Sequence, residues 1–498
     1  MRKHILFVLI FSLTLAATVV QAQKAQRKYR SVEKVLSEIR NDSDFKNAGF
    51  GFIAIDAQTG NIISSCNPDM ALKPASNLKL ITTATMLELY GPDYTFATKL
   101  EYTGYIDTLS HILHGNIIIK GGGDPTLGSK YFGQSSNKQF LTQWMEAIQN
   151  LKIDSIAGAI IADASIYSSD MIPASWSWTN IGNYFGAGAC GLSIYDNYYT
   201  IFFNTGNTLG ARVEIIKTIP DVPYLTFDNQ VVADTVSEDK SNIFGAPYCN
   251  MRYLRGELPI GKPGFGVKGS LPDPSYFAAY ELGRTLQDKG IKIKDNPTTI
   301  RLLEISGKQL VGNKTEITTI YSPPVSKIVE LTNLFSINLF AEHFLAHCGL
   351  KLTGNPETES AARAMTDFWK AKGMDTQGMD QTDGSGLSQY DAVTPRQMVF
   401  LLSYMKNQSA HFNEFYNSLP VAGREGTLNG MFKGSPAEGN LRAKSGTIER
   451  VKAYSGYTKS LAGHEIVFSM IVNNFSCTSK QANIKLERLM IALSELKK

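Results

Sequence analysis

A run that is apolar on almost every side must lie at the middle of whatever fold contains it. Leu78, Leu80, Ile81, Ala84, Met86, Leu87 and Leu89 come one after another at mostly helical spacing before Gly91-Pro92 stops the run, which predicts a buried helix starting near Pro74. Ser76 and Lys79 stand in its first turn, three residues apart and so on one face. A serine hydroxyl is a weak nucleophile until a base lies within hydrogen-bond reach, and Lys79 can be that base. The helix N-terminus adds partial positive charge where an oxyanion would form. Ser-x-x-Lys is nevertheless a cheap pattern, repeated at Ser31, Ser43, Ser135, Ser237, Ser403 and Ser494. Only partner motifs farther along the chain can give one copy a meaning.

The 498 residues are too many for one core and suggest about three domains. With 43% apolar and 19% charged residues the composition is that of a globular protein. The net charge is +4, of which Arg2 and Lys3 supply two, and no basic block is interleaved with aromatics, so a nucleic-acid partner is not expected. Met1-Arg2-Lys3-His4, the apolar run Ile5 to Val20 and the small-residue site Val20-Gln21-Ala22 read as a signal peptide over residues 1–22. No cysteine comes after it for lipid anchoring, and no later stretch is long and apolar enough to span a membrane. The mature chain is therefore expected to be exported, to the periplasm or another extracytoplasmic space. Its five cysteines form no CxxC and are odd in number, which predicts mostly buried thiols with at most a single bridge.

Along the chain, Ser31 to Ile39 reads as an amphipathic helix, and Phe50 to Ile55 and Asn61 to Ser65 as a hairpin leading into the Ser76 helix. Gly121-Gly122-Gly123-Asp124-Pro125-Thr126 lacks phosphate-loop spacing and reads as a tight turn. Residues 172–199 are aromatic-rich; packing under a long loop is preferred there to a carbohydrate-stacking face. A β-rich stretch covers 200–270, helices return from Val325, and Leu441 to Thr447, Lys452 to Thr458 and Glu465 to Asn473 read as strands. The closing helix, Ile484 to Leu496, is expected to pack on that sheet rather than lie on a membrane.

Three short patterns then occur in order: Ser76-x-x-Lys79, Ser336-x-Asn338 and Lys444-Ser445-Gly446-Thr447, the last occurring once and on a predicted strand. In these, and in Gly122 to Leu127, Asp163 to Tyr167, Ser322-Pro323-Pro324, Asp383 to Ser388 with Val393-Thr394-Pro395, and Gly426-Thr427-Leu428, the chain resembles the class C penicillin-binding proteins. These are the D-alanyl-D-alanine carboxypeptidase/endopeptidase type of the penicillin-recognising serine enzymes. Ser445 stands where that family more often has threonine, with the hydroxyl kept. The resemblance implies an α+β transpeptidase-like domain, an antiparallel sheet with flanking helices plus a helical subdomain, formed by residues 23–98 and 315–498. Residues 99–314, within the 260-residue gap between Ser76 and Ser336, would be the insertion.

It also implies roles. Ser76 would be acylated by the carbonyl of the penultimate D-alanine, and Lys79, neutral, would take its proton. Ser336 would relay a proton to the leaving group, and Asn338 would hold the substrate amide. Lys444, Ser445, Gly446 and Thr447 would form the strand that receives the terminal carboxylate, with the N–H groups of Ser76 and Thr447 as oxyanion hole. Asp163 would face the stem peptide and pair with a side-chain ammonium; the bland alternative is that it caps a turn. Peptidoglycan peptides are the expected partners and β-lactams the expected acylating inhibitors, with no metal or organic cofactor required.

Other chemistries have weaker support. His343 and His347 are spaced i, i+4, but HExxH and a third ligand are missing. Ser385 lacks the GxSxG of a nucleophile elbow. Glu425 to Asn429 matches a β-lactamase water-placing pattern but lies too close to Lys444 for that role. A β-lactamase, or a non-catalytic wall-binding or sensor protein, remains the alternative.

Overall fold

The computed structural model describes residues 30–133 and 138–497; the expected signal peptide and the motif copy at Ser135 lie outside them. The described residues divide into two compact units, one of residues 30–77, 374–380 and 391–497, the other of residues 78–133, 138–373 and 381–390.

The first unit is built on a five-stranded antiparallel sheet in the order Ile62–Cys66, Gly49–Asp56, Glu465–Asn473, Val451–Lys459, Arg442–Ile448. Its middle strands are buried on both faces, so their apolar runs do not alternate with polar residues. One face, with Phe52, Phe468, Met470 and Val472, packs on helices Arg30–Arg40 and Ser479–Ser494 through Val32, Leu36, Leu486 and Leu489. The closing helix thus packs on the sheet, as expected. It starts at a Thr478/Gln481 capping box. The other face carries helix Pro395–Asn407, whose Thr394/Gln397 capping box and first-turn proline fix where it begins. Pro395 lies against Gly51, and Tyr457 Oη donates to Leu402 O at 2.8 Å.

In the second unit the apolar run of the sequence becomes helix Lys79–Tyr90, with every residue from Lys79 to Leu87 buried. The α-helix starts later than expected: Ala75–Leu78 is a separate 3-10 turn, entered through Ala75 at φ 46°. Hydroxyls buried along the helix are spent on carbonyls, Thr83 on Lys79 O and Thr85 on Ile81 O, each at 2.7 Å. Helices Val325–Phe335, Asn338–Thr353 and Thr358–Ala371 complete this helical part.

The same unit contains a five-stranded mixed sheet, in the order Thr298–Thr299, Ile160–Asp163, Ile117–Lys120, Ala97–Thr103, Lys314–Tyr321. Three smaller sheets lie within residues 198–270, where the sequence reads as β-rich. Asp124 accepts from Thr126 N at 2.7 Å, which makes the glycine-rich stretch a tight turn. In the aromatic stretch Trp176 and Tyr199 are buried, in keeping with packing, while Trp178 and Tyr184 stay half exposed. All five cysteines are free thiols, but only Cys190 and Cys348 are fully buried and Cys249 is exposed; the expectation of mostly buried thiols holds for two of the five.

Candidate functional site

Ser76, in the first unit, sits half-buried in the 3-10 turn Ala75–Leu78, and residues 74–77 of that unit are seated on strand Arg442–Ile448. The strand lies at the edge of the sheet, where its outer backbone groups need partners. Asn77 supplies one, donating from Nδ2 to Lys444 O at 2.9 Å. Gly446 allows the close approach. A Cβ there would stand 2.3 Å from Pro74 O and 3.0 Å from Asn77 N, so no other residue fits without moving the turn. This is the physical content of the glycine in Lys-Ser-Gly-Thr.

Residues two apart along a strand share a face, which puts Lys444 on the side of Gly446 and the turn, and Ser445 with Thr447 on the other. Lys444 is buried and donates to Ser445 O at 2.9 Å. Thr447 is exposed, and its Oγ1 accepts from Lys452 Nζ at 3.0 Å. Lys452 stands opposite Thr447 on the neighbouring strand, and burial lowers its ammonium from the usual range. The sequence reading missed this second cation, since a lone lysine in a strand buried on both faces offers no signal for it.

The second unit holds the other half of the predicted residues. Lys79 is fully buried and donates to Asn338 Oδ1 at 2.6 Å and to Ser385 O at 2.7 Å. Asn338 opens helix Asn338–Thr353, and its Nδ2 donates to Phe185 O at 2.8 Å, so the aromatic stretch fixes the amide that faces the lysine. Ser336 caps helix Val325–Phe335 in the left-handed region, φ 58° and ψ 44°. That conformation is uncommon for a residue with a Cβ, and it turns the chain sharply between the two helices.

Loop 383–388, part of the resemblance but given no role, is organised around a buried carboxylate. Asp383 Oδ1 accepts from the backbone N–H of Ser385 (3.1 Å) and Gly386 (2.6 Å). Its Oδ2 accepts from the N–H of Leu387 (2.9 Å) and Ser388 (2.8 Å), and from Trp176 Nε1 at 2.8 Å. Five donors on one carboxylate hold the loop rigid and aim Ser385 O at Lys79. Glu342, also missed, accepts from Gly384 N at 3.0 Å. Burial, and after it the charge of Asp383, push its carboxyl up to about 8.

The remaining candidates lie elsewhere in the fold. Asp163 is buried; its Oδ1 accepts from Ser165 N (3.1 Å) and Oγ (2.6 Å), and its Oδ2 pairs with Lys314 Nζ at 3.3 Å. Burial pushes this carboxyl up, but those contacts outweigh it and hold it below the usual range. Tyr167, expected beside it, is buried and donates to His343 O at 3.2 Å. His343 Nδ1 lies 2.8 Å from Gly123 O and its Nε2 2.9 Å from Ser193 Oγ, so the ring is neutral with its proton on Nδ1. His347 Nε2 lies 2.8 Å from Tyr94 Oη. Burial lowers these histidines to about 3 and about 4. Both rings serve the core. Glu425 is exposed at the head of a short 3-10 turn.

The sequence profile of the D-Ala-D-Ala carboxypeptidase 3 (S13) family matches residues 32–494. A D-alanyl-D-alanine carboxypeptidase of Actinomadura sp. (strain R39) is 26% identical over 463 residues, 89% of this chain and 82% of the relative. The D-alanyl-D-alanine carboxypeptidase DacB of Haemophilus influenzae is 24% identical over 459 residues, 88% of each chain. In fold the chain is similar to the crystal structure of penicillin binding protein 4 (dacB) from Haemophilus influenzae, with a TM-score of 0.76 at 20% identity, covering 93% of this chain and 98% of that one. A second structure of that protein, complexed with a novel β-lactam, gives 0.74 at 19% identity, covering 93% of this chain and 98% of that one.

Proposed function

The chain belongs to the D-Ala-D-Ala carboxypeptidase 3 (S13) family, and on that premise we propose a serine carboxypeptidase/endopeptidase in which Ser76 carries a covalent acyl intermediate from peptidoglycan stem peptides. Ser76 Oγ attacks the carbonyl of the penultimate D-alanine, and the hydroxyl proton passes to the lone pair of neutral Lys79. The Ser76 and Thr447 N–H groups receive the oxyanion. Ser336 passes a proton to the departing amine, and Asn338 gives its second amide N–H to the substrate. In a carboxypeptidase reaction Thr447 holds the terminal carboxylate through its hydroxyl, and Lys444, buried on the other face of the strand, adds its charge. Ser445 and Gly446 shape the strand the substrate lies along. Lys452, by donating to Thr447 Oγ1, turns the threonine O–H outward to that carboxylate.

The observation that supports the reading most is the Lys79–Asn338 hydrogen bond, which joins the first and second motifs across 259 positions of sequence. Asp163 enters in a narrower role: a substrate ammonium reaching its Oδ2 competes with Lys314 there. Asp163→Asn then slows cleavage of a stem peptide with a free side-chain ammonium about 5- to 150-fold, the effect of one partly desolvated pair, and spares the same peptide acetylated at that amine. Equal losses on both peptides would show a folding defect, and no loss on either would leave Asp163 a turn residue.

Residues 1–22 serve as an export signal in this account, placing the enzyme in the periplasm or another extracytoplasmic space. Residues 23–98 and 315–498 form its catalytic part and 99–314 its insertion. Among the described residues no helix is long and apolar enough to cross a membrane. The experiment is digestion of purified peptidoglycan with products identified by mass: release of terminal D-alanine and of cross-linked stems is expected. Rapid hydrolysis of penicillin without those products would favour the β-lactamase alternative.

A further inference from the structure

The sheet of strands Glu214–Ile219, Tyr198–Asn204 and Pro263–Ser270 turns Tyr199, Ile201 and Phe203 of its middle strand into the core. Alternation puts Tyr198, Thr200 and Phe202 on its open face. Lys268 stands opposite Thr200 on the neighbouring strand and so shares that face. Its Nζ lies 5.6 Å from the ring centroid of Tyr198 and 5.4 Å from that of Tyr184. Lys130, from the turn Lys130–Phe132, comes to the same ring: its Nζ is 5.1 Å from the Tyr198 centroid and 4.7 Å from that of Tyr131. Two ammoniums thus share one tyrosine, with a further ring beside each.

Aromatic rings hold ammoniums without neutralising them. Among the described residues no carboxylate forms an ion pair with either lysine. The anion that acts on both is Asp196, which is buried and accepts from Lys130 N at 3.3 Å. Lys130 and Tyr198 also line a cavity of about 410 Å³, whose other carboxylates, Asp221 and Glu281, pair with Arg284. One buried carboxylate therefore stands against two partly exposed ammoniums, and the cluster keeps a surplus positive charge. Burial, and after it the Lys130 ammonium, lower Lys268 from the usual range, as like charges held together must. An oxyanion between the two lysines would meet both and remove their repulsion.

The cluster touches the Ser336–Asn338 motif at two points, all within the second unit. The Tyr184 ring packs edge-on to Phe185 at 5.5 Å, and Phe185 O receives Asn338 Nδ2. Tyr131 stacks at 5.8 Å on the half-exposed ring of Phe335, the residue before Ser336. About four to five residues of extended peptide cover such a path.

We propose that Lys130 and Lys268, held over Tyr131, Tyr184 and Tyr198, form a subsite for a carboxylate of the substrate that lies outside the bond being cut. The inference rests on the reading that Ser336 and Asn338 act on stem peptides. In a single stem the carboxylate next to the scissile bond goes to Thr447. The neighbouring stem of a cross-linked substrate brings carboxylates of its own, and one of these fits between the lysines. The subsite makes the enzyme favour cross-linked peptides over single stems.

The test compares two cross-linked peptides, identical except that the neighbouring stem carries its carboxylates free or as amides. In the parent enzyme kcat/KM is expected about tenfold higher for the free form, through KM. With Lys130→Met and Lys268→Met combined, which keeps side-chain length without charge, that ratio falls to about one. General damage lowers both rates and leaves the ratio, so a ratio still near ten overturns the proposal. A parent ratio of one overturns it too. Should the double variant not fold, salt takes its place: raising it from about 0.05 M to about 0.5 M should bring the parent's ratio toward one. A ratio indifferent to salt contradicts the subsite.

Calorimetry with Ser76→Ala reads binding without turnover. The free-carboxylate peptide should bind about tenfold more tightly than the amide. Equal affinities overturn the proposal, as does displacement of the peptide by a glycerol phosphate oligomer that binds more tightly, which would assign the lysines to a phosphate polymer. If the parent cleaves neither peptide, the function proposed for Ser76 fails, and the ratio of affinities still decides the subsite.

Discussion

Gly446 has no room for a methyl group, and Asp383 has no room for the loss of a charge. In the unit that carries Ser76, the turn is located by a steric fit: strand and turn meet backbone to backbone, 2.3 Å from where a Cβ would be. In the unit that carries Lys79, the lysine is located by a polar network whose centre accepts five hydrogen bonds. A steric fit fails locally and all at once, since packed cores leave few places for an added atom to go. A buried network fails by leaving donors unsatisfied, and the damage spreads to everything those donors hold.

The sharpest way to break the comparison is Asp383→Ala. It orphans five donors at roughly 1–3 kcal/mol each before relaxation, so the second unit should lose several kcal/mol of stability and penicillin acylation should vanish. Denaturant unfolding checks it; a variant as stable as the parent would mean the network is decorative. Acid should act on the same unit. His343 and His347 are held neutral, with pKa values of about 3 and about 4 against about 6.5 in the unfolded chain. The unfolded state therefore binds more protons below pH 6.5, and stability present above that pH is lost as pH falls toward 4. Asp124, raised to about 6, offsets part of this between pH 6 and about 4. Glu342, raised to about 8, opposes the loss as well, so what is expected is a histidine contribution on the order of 5 kcal/mol by pH 4, largely offset by the two carboxyls and about halved in His343→Gln. Tryptophan fluorescence against pH, compared between the parent and His343→Gln, measures it.

Gly446→Ala should act on the other half. Overpacking costs about 1–3 kcal/mol of stability, but moving the Ser76 turn should slow acylation about 100-fold or more. Equal rates in the two proteins would show that the turn does not need the close approach. The smallest effect belongs to Ser445→Thr: the added methyl goes on a half-buried side chain, and acylation should stay within about threefold of the parent.

The same contrast decides what could be read in advance. Lys444-Ser445-Gly446-Thr447 is contiguous because a backbone contact needs its glycine at one position, and so it stands out as a motif. The buried helix, the hairpin and the last three strands were legible for a similar reason, each being a local apolar pattern. The network is not local. Trp176, Phe185, Glu342 and Asp383 meet through hydrogen bonds spanning up to 207 positions, and nothing in the spacing of a lone glutamate marks it as buried. Ser336 was visible as a motif member, but its left-handed backbone was not. The 3-10 turn at Ala75–Leu78 was hidden too, since apolar periodicity places a helix and leaves its first turn undefined.

The central claim is that one serine among seven Ser-x-x-Lys copies is the nucleophile. Intact mass and peptide mapping after incubation with a labelled penicillin test it directly. The account predicts one adduct per chain, on the peptide containing Ser76, absent in Ser76→Ala and strongly reduced in Lys79→Arg, whose guanidinium cannot take up the proton. An adduct on another serine, or an undiminished adduct in Ser76→Ala, would contradict it.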